Sequence, residues 1–169
     1  MRLPTKTLTA SAAALSVWIA AEGFSPSPYI PTKGDVPTIG HGSTRYEDGT
    51  RVRLTDPPIT QERARELASN LFQGDCKAMS RTIPEVLLTQ EEYDLYCDFV
   101  GQYGIGNWNK SSMKRLLFQG NYGASCKALL AWRKQAGRDC SDPKNWGPRG
   151  CKGVWTRQQE RYAKCMAAQ

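Results

Sequence analysis

Two carboxylates, a hydroxyl and an imidazole are gathered in one short part of the chain. Glu22 closes the apolar run A10-S-A-A-A-L-S-V-W-I-A-A21 and is followed by Gly23. Asp35 stands in a Gly-Asp turn, and Thr38 and His41 lie in T38-I-G-H-G42. A carboxyl group beside Val17, Trp18 and Ile19 on a helix is expected to lose water, which favours its protonated form and suits it to protonating a leaving group. The same residue also reads as a solvated helix-end glutamate. Turn chemistry is a sufficient reason for Asp35, and strand propensity is a sufficient reason for Thr38. A hydroxyl at Thr38 could equally hold a water near two acids. Paired carboxylates on either side of a sugar bond are the general device for glycoside cleavage, but spacing alone does not show that Glu22 and Asp35 flank anything.

Other chemistries fit poorly. His41 is the only histidine, and a serine triad would have to use it without any nucleophile elbow. No two of the six cysteines form a tight Cys-x-x-Cys pair, so no metal site is expected. Phosphate-loop, dinucleotide, deaminase and metalloprotease patterns are missing, and no cofactor is expected.

The positioning elements can be read from caps and breakers. Thr9 or Ser11 caps a first helix that carries Leu15, Trp18 and Ile19 at helical spacing and stops at Gly23. Residues 24–53 then read as short strands around Tyr29-Ile30, Pro37–Ile39 and Arg51–Leu54, with E47-D-G-T50 as a hairpin turn. Thr60, with Glu62 just inside, opens a helix whose apolar side is Ala64, Leu67, Ala68 and Leu71. T89-Q-E-E92 is a capping box, and G101-Q-Y-G-I-G106 is expected to end the helix behind it. Further helices are expected around Ser112–Phe118 and Ala124–Lys134, with T156-R-Q-Q159 capping the last.

The chain of 169 residues carries 23 basic and 16 acidic side chains, a formal charge of +7 that favours an anionic partner. No nucleic-acid signature accompanies that charge, and no nucleic-acid partner is expected. The six cysteines, Cys76, Cys97, Cys126, Cys140, Cys151 and Cys165, fit three disulfides in an oxidising compartment, although six permit fifteen pairings. C140-S-D-P-K-N-W-G-P-R-G-C151 holds two prolines and two glycines between two cysteines, so a disulfide there would supply order that the composition does not. Arg2, Lys6 and the apolar run after them have two readings, the first helix of the fold or a signal or transient anchor. The run is too short to span a bilayer as a conventional helix, and no stable membrane insertion is expected.

Four motifs in order carry a family resemblance. They are A-E22-G-F with Tyr29, Gly34 and T38-I-G-H-G-S-T44; D56-P-P-I-T60 with Glu62 and Ala64; F99-x-x-x-x-G104-x-G106; and C126-K-A-L-L-A-W132 with R157-x-x-E160 and Cys165. Over most of residues 12–165 the chain resembles the phage-type lysozymes, or endolysins, the glycoside hydrolase family that includes the lysozyme of the T-even bacteriophages. The resemblance implies a single α+β lysozyme-like domain. A small hairpin-bearing lobe would cover about residues 9–59, a linking helix about 60–73 and a helical lobe about 74–169.

It also implies a muramidase that acts on peptidoglycan in the host periplasm or cell wall to lyse the cell, as a monomer and by an export route left open. Glu22 would protonate the glycosidic oxygen and Thr38 would position water. The family's aspartate, two residues after the tyrosine, is Pro31 here, and the tyrosine-to-threonine interval is one residue longer. Asp35 is the only carboxylate between Glu22 and Thr38 and is the natural substitute, with Glu47 and Asp48 as alternatives. Tyr29, His41, Tyr103 and Trp108 are candidate cleft-wall residues. Resembling proteins point to a Cys126–Cys165 disulfide; Cys140–Cys151 would close the breaker-rich loop, leaving Cys76 with Cys97. Lytic transglycosylation of the same bond, or wall binding without catalysis, are the alternative functions.

Overall fold

The computed structural model describes residues 1–31 and 34–169. Its architecture is α+β: a hairpin-bearing lobe and a larger helical lobe joined by a long helix. Strand β1 (Leu3–Pro4) pairs antiparallel with β4 (Leu87–Leu88) and ties the amino terminus to the helical lobe. Helix α1 (Ala12–Glu22) is capped by Ser11, whose hydroxyl accepts from the Ala14 amide at 3.1 Å. Ala14, Leu15, Trp18 and Ile19 form its half-buried face at helical spacing.

Strands β2 (Ser25–Tyr29) and β3 (Thr38–Gly40) form the hairpin beyond α1, with Tyr29 opposite Thr38 and Ser25 opposite Gly40. The 47–50 turn forms as expected: Asp48 accepts from the Thr50 amide at 2.8 Å and from its hydroxyl at 2.6 Å. The strand expected at 51–54 is reduced to an isolated pairing of Arg45 with Arg51. This lobe has a small core in which Ile39 and Val52 pack on Leu67 of the long helix, with Tyr46 and Ile59 alongside.

Helix α2 (Gln61–Thr82) starts at the expected cap, Thr60, which accepts from the Arg63 amide at 3.1 Å. It continues past the expected end near residue 73, through Gly74 to Thr82. Phe72, Cys76 and Met79 extend its buried face into the helical lobe, and that burial offsets the helix-weakening glycine. Helix α3 (Gln90–Tyr103) begins with the complete Thr89–Glu92 capping box. It runs through Gly101 to Tyr103, where the glycines predict a stop. A β-carbon on Gly101 would lie 2.6 Å from the Trp18 indole, so the glycine is the notch that seats α1.

Helices α4 (Ile105–Lys110), α5 (Ser112–Phe118) and α6 (Tyr122–Ala128) close the core. The helix expected to reach Lys134 ends earlier, in a 3₁₀ turn at Leu129–Ala131, and Lys134 enters the hairpin of β5 (Lys134–Gln135) with β6 (Arg138–Asp139). Helix α7 (Lys152–Ala167) starts directly after Cys151, so Thr156 lies inside it and caps nothing. The disulfides are Cys76–Cys97, Cys126–Cys165 and Cys140–Cys151.

Four contacts fix the helix directions. Ser11 donates its amide to Asp94, and Trp18 lies on Gly101, so α1 runs parallel to α3. Gln169 donates to Glu92, and Arg157 bonds Asp98, so α7 runs antiparallel to both. The start of α7 and the end of α1 therefore share one end of the molecule. Among the described residues, no helix is long and apolar enough to cross a membrane.

Candidate active site

Glu22 is the last residue of α1, and the chain leaves the helix at Gly23 with φ 68°. Its carboxylate comes to rest on the hairpin turn. A β-carbon on Gly42, which has φ +77°, would stand 2.8 Å from Glu22 Oε2. Gly42 is thus required twice, for the left-handed turn and for the close approach of the acid. The second glycine of G40-H-G42 is the sequence signal for this seat, although on its own it reads only as a turn residue.

His41 is the clamp between turn and helix. Its ring is nine-tenths buried, Nδ1 bonds the Gly23 carbonyl, and the ring lies 5.6 Å from that of Phe24. The imidazole is spent on fastening helix to hairpin, which leaves it little surface for lining a cleft. Its Nε2 is buried and has no hydrogen-bond partner among the described residues.

Thr38, opposite Tyr29, is 4% exposed, and its hydroxyl donates to the Val36 carbonyl at 3.2 Å. The hydroxyl oxygen retains acceptor capacity. Tyr29 is 40% exposed and offers its ring to solvent beside the strand. The hairpin therefore brings Tyr29 and Thr38 together. Asp35 is exposed on the segment leading into β3.

The expected burial of Glu22 is not found. Glu22 is exposed, and Val17 on the same helix is 63% exposed. The apolar run of α1 is only half covered, so its neighbours do not shield the acid from water.

The two alternative acids are already engaged. Glu47 receives bonds from Arg63 at 2.8 and 2.7 Å and from Asn70 at 3.0 Å, which hold its carboxyl down at about 2. It fastens the hairpin lobe to α2. Asp48 is held low by Thr50 within its own turn.

The two aromatic candidates from the helical lobe differ in exposure, and Trp108 is corrected. Trp108 is completely buried and donates its indole N–H to the Thr82 hydroxyl at 2.9 Å, so it has no face to line a cleft. Tyr103 is half-buried; it donates to the Trp132 carbonyl at 2.9 Å and accepts from Gln158 at 2.7 Å. Burial raises its phenol above the ordinary value.

Asp98 belongs to no motif in the sequence, yet it organises the lobe behind α1. It accepts from Arg157 at 2.6 Å and from Arg161 at 2.6 Å, and the Arg157 guanidinium lies 5.7 Å from the Trp18 ring centre. The R157-x-x-x-R161 spacing, one helical turn, is the available signal.

The arrangement has counterparts among known proteins. A family model described as phage lysozyme matches residues 19–144. Among solved structures, a point mutant of P22 lysozyme is 28% identical, with a TM-score of 0.71 over 95% of this chain and 99% of that one. An endolysin from Escherichia coli O157:H7 phage FAHEc1 is 20% identical, with a TM-score of 0.70 over 95% of this chain and 94% of that one. The active form of P1 phage endolysin Lyz, 13% identical, shares the fold with a TM-score of 0.69 over 95% of this chain and 86% of that one. Comparison with curated proteins gives no match.

Proposed function

Because the chain belongs to the phage lysozyme family, we propose that it is an endolysin that hydrolyses the bond between N-acetylmuramic acid and N-acetylglucosamine in bacterial peptidoglycan. Its place of action is the periplasm or wall of the host, where cleavage lyses the cell. The observation that carries this reading is the seat of Glu22 on Gly42, at the junction of α1 and the hairpin.

Glu22 gives its proton to the glycosidic oxygen as the bond to the sugar's anomeric carbon breaks, and positive charge develops on the ring. Its exposure gives a polymer direct access to the acid. Thr38 accepts a hydrogen bond from the attacking water, and Asp35 takes the part of the carboxylate missing at Pro31, steadying the charge or turning the water. The engagement of Glu47 with Arg63 and of Asp48 with Thr50 favours Asp35 among the three acids.

Mass spectrometry of peptidoglycan digested by the wild-type protein tests the reading. Reducing muramic-acid ends are the expected products. Anhydro ends would make the protein a lytic transglycosylase, and absence of any cleavage would reduce it to a wall-binding module. For the second acid, Asp35→Asn should lower turnover by about tenfold or more while hardly changing stability, since charge rather than volume is removed. Full turnover in that variant would remove Asp35 from the mechanism.

A further inference from the structure

We propose that the disulfide-closed hairpin loop before α7, toward the end of the molecule that carries Glu22, is a docking site for the carboxylate-bearing peptides of the wall polymer. This rests on the peptidoglycan reading above and names a second part of the substrate.

Charge first singles out the loop. Residues 133–152 hold six basic side chains, Arg133, Lys134, Arg138, Lys144, Arg149 and Lys152, against two acids, Asp139 and Asp142, a net +4 of the chain's +7. Both acids are internally committed. Asp139 pairs with Arg133 at 3.1 Å and accepts from Ser141; Asp142 pairs with Lys144 at 2.9 Å. Among the described residues neither Arg138 nor Arg149 has a carboxylate partner, and both are exposed.

The platform is built rather than loose. Cys140–Cys151 closes it, the Trp146 indole donates to the Cys140 carbonyl at 2.9 Å, and Asn145 donates to the Asp139 carbonyl at 2.8 Å. Arg138 donates to the Arg149 carbonyl at 3.2 Å, which holds together the two segments that carry these guanidinium groups. Arg138, Lys144, Trp146 and Arg149 line a concavity of about 360 Å³. The planar guanidinium fork suits carboxylates. The exposed Trp146 ring, with Lys152 4.8 Å from its centre, adds an apolar wall beside the charges.

Position supplies the last step. Because α7 runs antiparallel to α1, this loop enters α7 at the end of the molecule where α1 delivers Glu22. A wall strand lying at Glu22 brings its acidic peptides toward the same end. A diffuse positive surface would attract the polymer from any side, whereas this cluster is concave and lies toward the end of the molecule that carries Glu22.

Cosedimentation with purified wall sacculi tests the site, using the 169-residue chain carrying Glu22→Gln so that the polymer stays intact. Sacculi are used as isolated and after their carboxylates are converted to amides. The parent should bind native sacculi about fivefold more tightly than amidated ones. Arg138→Gln with Arg149→Gln should lose that preference, weakening on native sacculi and staying unchanged on amidated ones, while Arg138→Lys with Arg149→Lys keeps most of it. Equal binding of parent and double-glutamine variant to native sacculi would overturn the site, as would equal weakening on both polymers. Product analysis of the wild-type protein reads cleavage separately. Charge-selective binding without any cleavage would sink the hydrolase reading and leave the docking site standing.

Discussion

The hairpin lobe and the helical lobe are built on different principles. In the hairpin lobe a few apolar side chains, Ile39 and Val52 against Leu67, hold a structure whose exposed surface carries Glu22, Tyr29 and Asp35. Its precision comes from the backbone at Gly42 beneath Glu22 and from the His41 side-chain clamp on Gly23. The helical lobe has the large core around Phe72, Tyr96, Phe99 and Trp108 and all three disulfides. Stability is concentrated where there is no proposed chemistry, and the acid stands where water and polymer can reach it. Damage to one lobe should therefore be read as lost stability, and damage to the other as lost turnover.

The largest effect on stability should follow from breaking the helical lobe's charge cluster. Arg161 is 3% exposed, and its Nη1 has no hydrogen-bond partner among the described residues, so Asp98 is its essential counter-charge. Asp98→Asn leaves that cation buried and should cost about 3 kcal/mol. Thermal unfolding should then fall by about 6–12 °C. A shift under about 2 °C would show that the cluster carries no such weight.

The hairpin lobe should respond in the opposite way. Gly42→Ala forces a side chain into a left-handed position and against Glu22 Oε2, 2.8 Å from the new β-carbon. Stability should drop by about 1–2 kcal/mol, while turnover falls by about tenfold or more because the acid is displaced. Gly49→Ala is the control: it shares the positive φ, at +85°, but its β-carbon would meet nothing within 4 Å. It should cost similar stability and leave turnover intact. Equal turnover losses in the two variants would mean that general loosening, rather than the seat of Glu22, is responsible.

A smaller effect sharpens the picture of the joining helix. Burial raises the Asp75 carboxyl from 3.8 to about 6, so the folded protein holds this proton more tightly than the unfolded chain. Stability contributed here therefore falls as pH rises from about 4 through about 6, and the deficit persists at neutral pH. Asp75→Asn should flatten that slope and gain up to about 1 kcal/mol at pH 7, the half-buried position being partly screened by water. Unfolding measured between pH 4 and 7 in both proteins checks the sign.

What the sequence disclosed follows the range of the interactions involved. Caps at Ser11, Thr60 and Thr89 are legible because each bonds an amide only three residues away. Thr156-x-x-Gln159 has a similar local pattern, but Cys151, tied to Cys140, starts the helix earlier. Gly101 reads as a stop because its reason for being small, Trp18, lies in a distant helix. Trp108 reads as available because its burial depends on α4 packing against Thr82 of α2. The candidate site draws on residue types and motif, with Glu22 and Thr38 proposed from the motif. The seat of Glu22 is not legible, since which side chain meets Gly42 is settled only when helix and hairpin meet.

The central claim is that the acid on Gly42 performs the chemistry while the helical lobe carries the fold. Release of new reducing ends from purified peptidoglycan by Glu22→Gln, at a protein concentration saturating for the wild type, tests it most directly. The account predicts loss of turnover by about a thousandfold or more, with a thermal transition within about 2 °C of wild type, because an exposed side chain changes charge and nothing in either core moves. A folded Glu22→Gln protein that still releases reducing ends at an appreciable fraction of the wild-type rate would contradict it.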